Sequence, residues 1–438
     1  MSPFRLAGGV ALAIMLGGTV QSAPLDDVYD EQELGLLQPK YERGWRGNYD
    51  SVFSPRFTTE ELARFSGVQF VLERRLPGSE PFGFAFRRDR DLVIASTASL
   101  MFLEDISYAY TWLNAKGYDI QSVGDYLMML RYWDAGRGRP PKPLAALCIT
   151  RDESETRIAD LAARAFNIAA VFALLHEYGH AFHRHAGNAA VPAAESRGNE
   201  EAADRFALDV ISRTGEVPIG VTNLFFTMAY LHENRAFFNS DAEFQRSLAG
   251  RTHPLSPQRL QAFARHLSAA SGAYAQSFRP GAKASALLLA QMISSLALRV
   301  GDTDIQRLSA TIGATVSQDD LAPRRKGQHL AAPCNGRAAT GQPFDGALRG
   351  RMTAGQTPFD IDAMLERYGD VVSGSYSYGA GFGRLKGAVN GATLSYRWTM
   401  GNAGGKGVLT LQDGTYRGTW GNGDSSTGVG ALEMTRTP

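Results

Sequence analysis

A chain of 438 residues is long enough for two or three domains and a sizeable core, and its 44% hydrophobic and 20% charged residues are the balance of an ordinary globular protein. Its net charge of +1 gives no electrostatic case for nucleic acid or an anionic membrane surface as partner. Neither of its two cysteines, Cys148 and Cys334, sits in a CxxC or CxxH pattern, which argues against a cysteine zinc site and leaves one disulfide open between them in an oxidising compartment.

The N-terminus reads as a secretory signal. Arg5 is the only early charge, Leu6 to Val20 is an apolar run, and "VQSAP" offers small residues for cleavage after Ser22. Residues 1–22 are therefore expected to be removed, and the mature chain to be periplasmic or secreted. No integral membrane segment is expected after that cleavage. The best later candidate, "ALLLAQMISSLALRV" (286–300), is short, ends near Arg299 and reads as a buried helix.

Residues 23–57 read as irregular, and "FTTEELARFSGV" starts a short helix with Thr58 or Thr59 as its cap. The segments 68–76 and 82–96 have strand composition and are expected to pair. Two helices follow over 97–133, divided at Gly117, with their aromatic residues in the core. "LAALCIT" (144–150) reads as a short strand. From about Asp160 to about residue 312 the pattern is helical in blocks.

The segment 322–346 lacks periodicity and carries Pro, Gly and charge, so a linker is placed over 322–365. Beyond it, six short runs alternate with turn pairs, and Asn390-Gly391 and Asp413-Gly414 are hairpin signals because type I′ turns need positive φ at both central residues. The expected fold class is α+β: a mostly helical domain over 23–321, then a small Gly-rich antiparallel meander, curled or barrel-like, over 366–438. Trp398 and Trp420 are expected as core or rim residues of that meander.

The chemistry concentrates at "ALLHEYGHAFHRH" (173–185), which holds four of the chain's eight histidines. The surrounding helix is apolar nearly all round, and a buried helix carries polar groups only when they have partners. His176 and His180 are four residues apart, so both imidazoles leave one face one turn apart and can share a zinc ion. Glu177 lies about 100° round the helix, where it can reach a water on an open coordination position. A third ligand is expected from "NEEAADRFALDVI" (199–211), whose apolar stripe is Ala203, Phe206, Ala207, Val210 and Ile211. Glu200 lies close to that stripe and is the preferred ligand, with Glu201 as the alternative. Asp204, one turn on, can support a ligand histidine. His183 and His185 read as partly exposed residues at a helix C-terminus.

The pattern His176-Glu177-x-x-His180 followed by Glu200-x-x-x-Asp204 resembles the gluzincin zinc metallopeptidases, with thermolysin-like spacing. "EEAADRFALDVI" is similar to small bacterial HExxH proteins and to the heat-shock and CAAX-prenyl-protease family. "THPLSPQRL" (252–260) is similar to a Thr-His-Pro…Arg-Leu segment of that family's periplasmic members. The chain departs from that family in its short gap between His180 and Glu200 and in lacking the family's membrane helices. The resemblance implies a zincin-like domain binding Zn2+ through His176, His180 and Glu200, with Glu177 and His253 as catalytic residues and a protein or peptide as substrate. Glu177 would act as general base, and His253 would gate the zinc or stabilise the transition state; otherwise His253 is a helix-entry residue before Pro254. By analogy the strand at 144–150 would be the edge receiving an extended peptide. Two other readings stay open: a zinc hydrolase acting on peptidoglycan, and a non-catalytic envelope protein with a structural metal site whose fourth position is filled by His183 or His253. In that last reading the β-domain binds a partner that the sequence does not name.

Overall fold

The computed structural model describes residues 25–76, 82–133, 138–151, 155–186, 191–231, 238–249, 253–274, 281–306, 321, 342–368, 370–378, 381–400 and 403–436. The signal segment and Cys334 lie outside these. Cys148 is disulfide-bonded.

The N-terminal part contains helices α1 (Glu31–Asn48) and α2 (Thr59–Phe65), strands β1 (Gln69–Glu73), β2 (Phe84–Arg87) and β3 (Leu92–Ser96), and helices α3 (Thr97–Ala115), α4 (Gln121–Arg131), α5 (Pro143–Ala146), α6 (Thr156–His183), α7 (Ala193–Arg213), α8 (Val221–Leu231), α9 (Asp241–Ala249), α10 (Pro257–Ala269), α11 (Ser271–Tyr274) and α12 (Ala282–Gly301). Eight strands follow: β4 (Gly346–Ala354), β5 (Thr357–Tyr368), β6 (Val371–Tyr378), β7 (Gly381–Asn390), β8 (Thr393–Met400), β9 (Ala403–Gln412), β10 (Thr415–Asn422) and β11 (Gly430–Arg436). The α+β class is the one expected from the sequence.

Several local expectations are corrected. Residues 31–48, read as irregular, form α1: Asp30 caps it by accepting from Glu33 N–H, and Leu34, Leu37, Tyr41 and Trp45 form its buried stripe. Segment 82–96 makes two strands rather than one, and β1 pairs with β3 in parallel while β2 pairs with β3 antiparallel, so β2 is an edge. "LAALCIT" is no strand: Pro143 opens the short helix α5, and a turn follows. Helix α12 is only half a buried helix. Ala286, Leu289, Ile293 and Leu296 face inward, whereas Leu288 and Leu298 are 59% and 70% exposed. By length and composition α6 and α12 are each apolar enough to cross a membrane.

Helix α6 is the spine of the helical part. It packs on α3, α7, α8 and the small sheet, and most of its second half is buried. α2 sits against its C-terminal end behind a capping box in which Thr58 and Glu61 satisfy each other's backbone N–H groups.

The C-terminal strands close into an antiparallel barrel in meander order, with β11 pairing back onto β4. The stretch 346–365, assigned to a linker, supplies β4 and most of β5. The glycines have a spatial use here. Tyr376 lies opposite Gly383, Tyr396 between Gly387 and Gly407, and Trp420 between Gly407 and Gly430. A Cβ on Gly407 would stand 2.3 Å from Tyr396 Cζ, and one on Gly383 equally close to Tyr376 Cζ. Each large inward ring thus lies over a bare neighbour. The barrel meets the helical part through charge. Arg384 of β7 pairs with Glu104 of α3 at 3.1 Å, and Lys40 and Arg151 share the same carboxylate.

Candidate active site

The site forms where the end of α6 meets α7 and the start of α10. Its first requirement is close contact between α6 and α7, and Gly179 supplies it. A Cβ there would lie 2.9 Å from Ala203 Cα and 3.1 Å from Phe206 Cβ. With no side chain in the way, the backbone of α7 reaches α6 and Glu200 comes under the two histidines. Tyr178 points the other way, into Trp45, Tyr49 and Phe65, and anchors the helix end in the core. α6 stops at Arg184, which takes a left-handed conformation at φ 55° and lets His185 N–H return to His180 O at 3.0 Å.

His176 Nε2 and His180 Nε2 are 3.0 Å apart, and each stands 3.4 Å from a Glu200 carboxylate oxygen. Ligand atoms bound at about 2.0–2.1 Å in a tetrahedron are separated by roughly 3.3 Å, so these three donors are spaced for one ion. His176, His180 and Glu200 are 4%, 6% and 1% exposed. Glu201, the alternative ligand, is not among the grouped donors.

Each histidine is held from behind. His176 Nδ1–H donates to Asp204 Oδ1 at 2.7 Å, which leaves Nε2 with a free lone pair. His180 Nδ1 meets His185 Nδ1 at 2.9 Å. Burial, with His180 and His183 beside it, pushes His185 down to about 3, so it stays neutral and can accept that bond. His183 contacts His185 by ring stacking and is not in the cluster.

Asp204 and Glu200 are tied together by Arg259 of α10. Its Nε and Nη2 donate to the two oxygens of Asp204 at 2.7 and 2.8 Å, and Nη1 pairs with Glu200 Oε2 at 2.7 Å. Burial works against both carboxylates, but Arg259 outweighs it. Asp204 is held down at about 2, and Glu200 well below the usual carboxylate range. Burial also opposes charge on His176, yet Asp204 and Glu200 raise it to about 9, which marks a cavity short of positive charge.

His253 enters from the stretch before α10, whose first turn is capped by Ser256. Its Nδ1 lies 3.4 Å from His176 Nε2 and 3.2 Å from Glu200 Oε2, and its Nε2 lies 3.2 Å from Glu177 Oε1 and 3.3 Å from Phe84 O on the edge strand β2. It stands between the three donors and Glu177. The Glu177 carboxylate is buried, and its Oε2 has no hydrogen-bond partner among the described residues.

Sequence reading did not assign three of these contributors. His185, expected to be partly exposed at the helix C-terminus, is so, and its contact with His180 is the part that the pattern does not mark. Arg259 lies on the apolar stripe of α10 with Leu260, Phe263 and Leu267, an inward arginine as unusual as the inward Glu200, and that placement is the signal that marks it. The edge strand near the site is β2, not the segment at 144–150.

His176, His180, Glu200 and His253 thus form a buried histidine–carboxylate cluster able to hold a metal ion. Residues 119–279, which contain the whole cluster with Glu177, Asp204 and Arg259, match the model of a peptidase family, Peptidase U49. No curated protein and no solved structure matches the chain.

Proposed function

We propose that the chain is a zinc-dependent peptidase of gluzincin type, with His176, His180 and Glu200 as metal ligands and Glu177 as general base. The observation that carries the reading is the three-donor triangle with a buried carboxylate beside it whose Oε2 has no partner among the described residues, inside a span that matches a peptidase family. A zinc ion held there supplies Lewis acidity where the charge develops.

The residues divide the remaining work. Glu177 takes the proton of the attacking water and delivers it to the leaving amine. Asp204 keeps His176 in the tautomer that presents Nε2, and Arg259 fixes both carboxylates. The edge strand β2 offers backbone groups on which an extended peptide can add as a further strand. An apolar pocket formed by Phe84, Phe172, Leu224, Phe225 and Met228 adjoins Glu177 and His176 and suits one small apolar side chain of the substrate. The signal-like residues 1–22 and the disulfide-bonded Cys148 support an envelope or secreted location. α6 and α12 are taken as helices of the folded body, α6 because it buries the site.

A second reading rests on His253. Its Nδ1 is at ligand spacing, so it could close the fourth position of a structural metal site. Two variants separate the readings on the mature protein. In a peptidase, Glu177→Gln abolishes cleavage of a mixed peptide library and retains about one zinc per chain, and His253→Ala lowers turnover while retaining zinc. Loss of zinc in His253→Ala, together with no cleavage by the zinc-loaded wild type, would refute the catalytic reading.

A further inference from the structure

The barrel encloses a cavity of about 240 Å³. Its walls are apolar, among them Ile361, Leu365, Leu394, Tyr396, Leu409 and Met434, and no charged residue lines it among the described residues. Both indole N–H groups on its wall are already used, Trp398 on Gly421 O and Trp420 on Thr353 O, each at 3.0 Å. The space is left by the inward glycines, since an eight-stranded barrel is just wide enough for side chains to fill it or for one small ligand.

The cavity has a closed and an open end. At the closed end Phe344, Leu348, Val372, Val389 and Tyr416 are buried, with the Phe344 ring against Tyr416 at 5.2 Å. The lining at the other end, Tyr378, Met400, Ala403, Asn422 and Val429, is half-buried or exposed. Along β8 the lining runs from Met400 at the mouth to Leu394 near the floor, which at about 3.3 Å per residue and a tilt of about 40° is roughly 15 Å of depth. With a closed floor, apolar walls over that depth and the Asn422 amide at the mouth, the cavity suits an extended methylene chain that carries a polar head. An apolar cavity of about 150 Å³ already takes up benzene, so this larger one has room for a guest.

We propose that the barrel binds one unbranched hydrocarbon chain, that of a fatty acid or alkyl amphiphile, threaded tail-first with its polar head at the Asn422 rim. The proposal stands apart from the peptidase reading.

The test uses the full mature chain. Trp398 and Trp420 line the cavity, while Trp45, Trp112 and Trp133 belong to the helical part. Titration with 2-bromododecanoate, whose bromine stays beside the head at the mouth near Trp398 and Trp420, is expected to quench the barrel tryptophans saturably at one per chain. The quenching is lost in a Trp398→Phe/Trp420→Phe variant. In competition, each methylene from octanoate to dodecanoate tightens binding about fourfold. Ala363→Phe and Leu394→Phe, which fill the bore from β5 and β8, weaken binding at least about tenfold, as the loss of two buried methylenes would. The proposal is overturned by quenching that does not saturate in the wild type, by affinity that ignores chain length, or by 1-adamantanecarboxylate binding more tightly than decanoate. Unchanged affinity in either filled variant that keeps native circular dichroism overturns it as well. The wild-type series decides the matter if neither variant folds.

Discussion

Gly179→Ala tests whether the approach of α7 to α6 sets the metal site. The added Cβ would lie 2.9 Å from Ala203 Cα and 3.0 Å from Ala203 O, both backbone atoms that no rotamer change can move. Carbon contacts are comfortable at about 3.5–4.0 Å, so the helices must part by roughly 0.6 Å or more. Ala203 is one turn beyond Glu200, and the displacement carries the carboxylate with it. Metal–ligand distances tolerate only about 0.2 Å, so the triangle opens past what one ion can span. Alanine favours the helix over glycine by about 1 kcal/mol, and overpacking costs about 1–3 kcal/mol. The two nearly offset, and the metal-free protein loses only about 0–2 kcal/mol. Zinc affinity, in contrast, is expected to fall about 10- to 100-fold, the range seen when groups supporting a ligand are disturbed. Chelator competition gives the affinity, and urea unfolding of the metal-free forms gives the stability. Zinc binding within about twofold of wild type, with stability unchanged, would show that Gly179 does not position Glu200.

Asp204→Asn keeps the shape behind His176 but removes the charge that fixes its tautomer, and zinc affinity by chelator competition is expected to drop about 10- to 100-fold. Glu104→Gln leaves Lys40, Arg151 and Arg384 facing one another at the barrel contact, and urea unfolding should show a loss of about 3–5 kcal/mol. Burial opposes the Glu104 charge, but Lys40, Arg151 and Arg384 hold its pKa well below the ordinary glutamate value of 4.5. Its stabilisation is therefore complete above that value and is lost as pH falls below it, so wild-type unfolding free energy declines there and the Gln variant declines less. Gly407→Ala drives a Cβ to 2.3 Å from Tyr396 Cζ and is expected to cost the barrel about 1–3 kcal/mol in thermal melts, with zinc affinity unchanged.

Much of the site was legible because helical periodicity reports direction. His176 and His180 four apart, and Glu200 on the inward side of 199–211, are statements about one face of one helix, and local geometry settles them. What was not legible depends on contacts between elements. His253 reaches the cluster from a stretch without periodicity, where only a resemblance singled it out. His185 acts through the left-handed turn at Arg184, which a sequence pattern does not mark. α1 was hidden because Pro39 and three glycines interrupt 31–48, although its buried residues at 34, 37, 41 and 45 keep the helical period. β4 and β5 were assigned to a linker because their inward positions include Gly350 and Ala363 and their outward ones Arg349, Arg351, Asp360 and Asp362, which blurs the alternation that signals a strand. The helix α12 reads as buried by composition, but composition does not say that only one face finds a partner.

The electrostatics of the cluster agree with its donor spacing. Glu177, Glu200 and Asp204 are 1%, 1% and 3% exposed, and Arg259 is the one buried arginine or lysine that touches them among the described residues. The three carboxylates outnumber Arg259, and Asp204 and Glu200 raise His176 to about 9 against the effect of burial, so the cluster draws positive charge either as protons on its imidazoles or as a bound cation. Uncompensated charge in a buried site costs several kcal/mol per ion even after relaxation. A dication between His176, His180 and Glu200 would supply that charge where the donors converge, in place of the protons. Burial opposes charge on His253, but Glu177 and Glu200 outweigh it and raise its pKa, a response to the same excess of negative charge. The demand for positive charge comes from the carboxylates. Among the described residues Glu177 is the one of the three whose Oε2 makes no hydrogen bond, the feature on which its proposed role as general base rests.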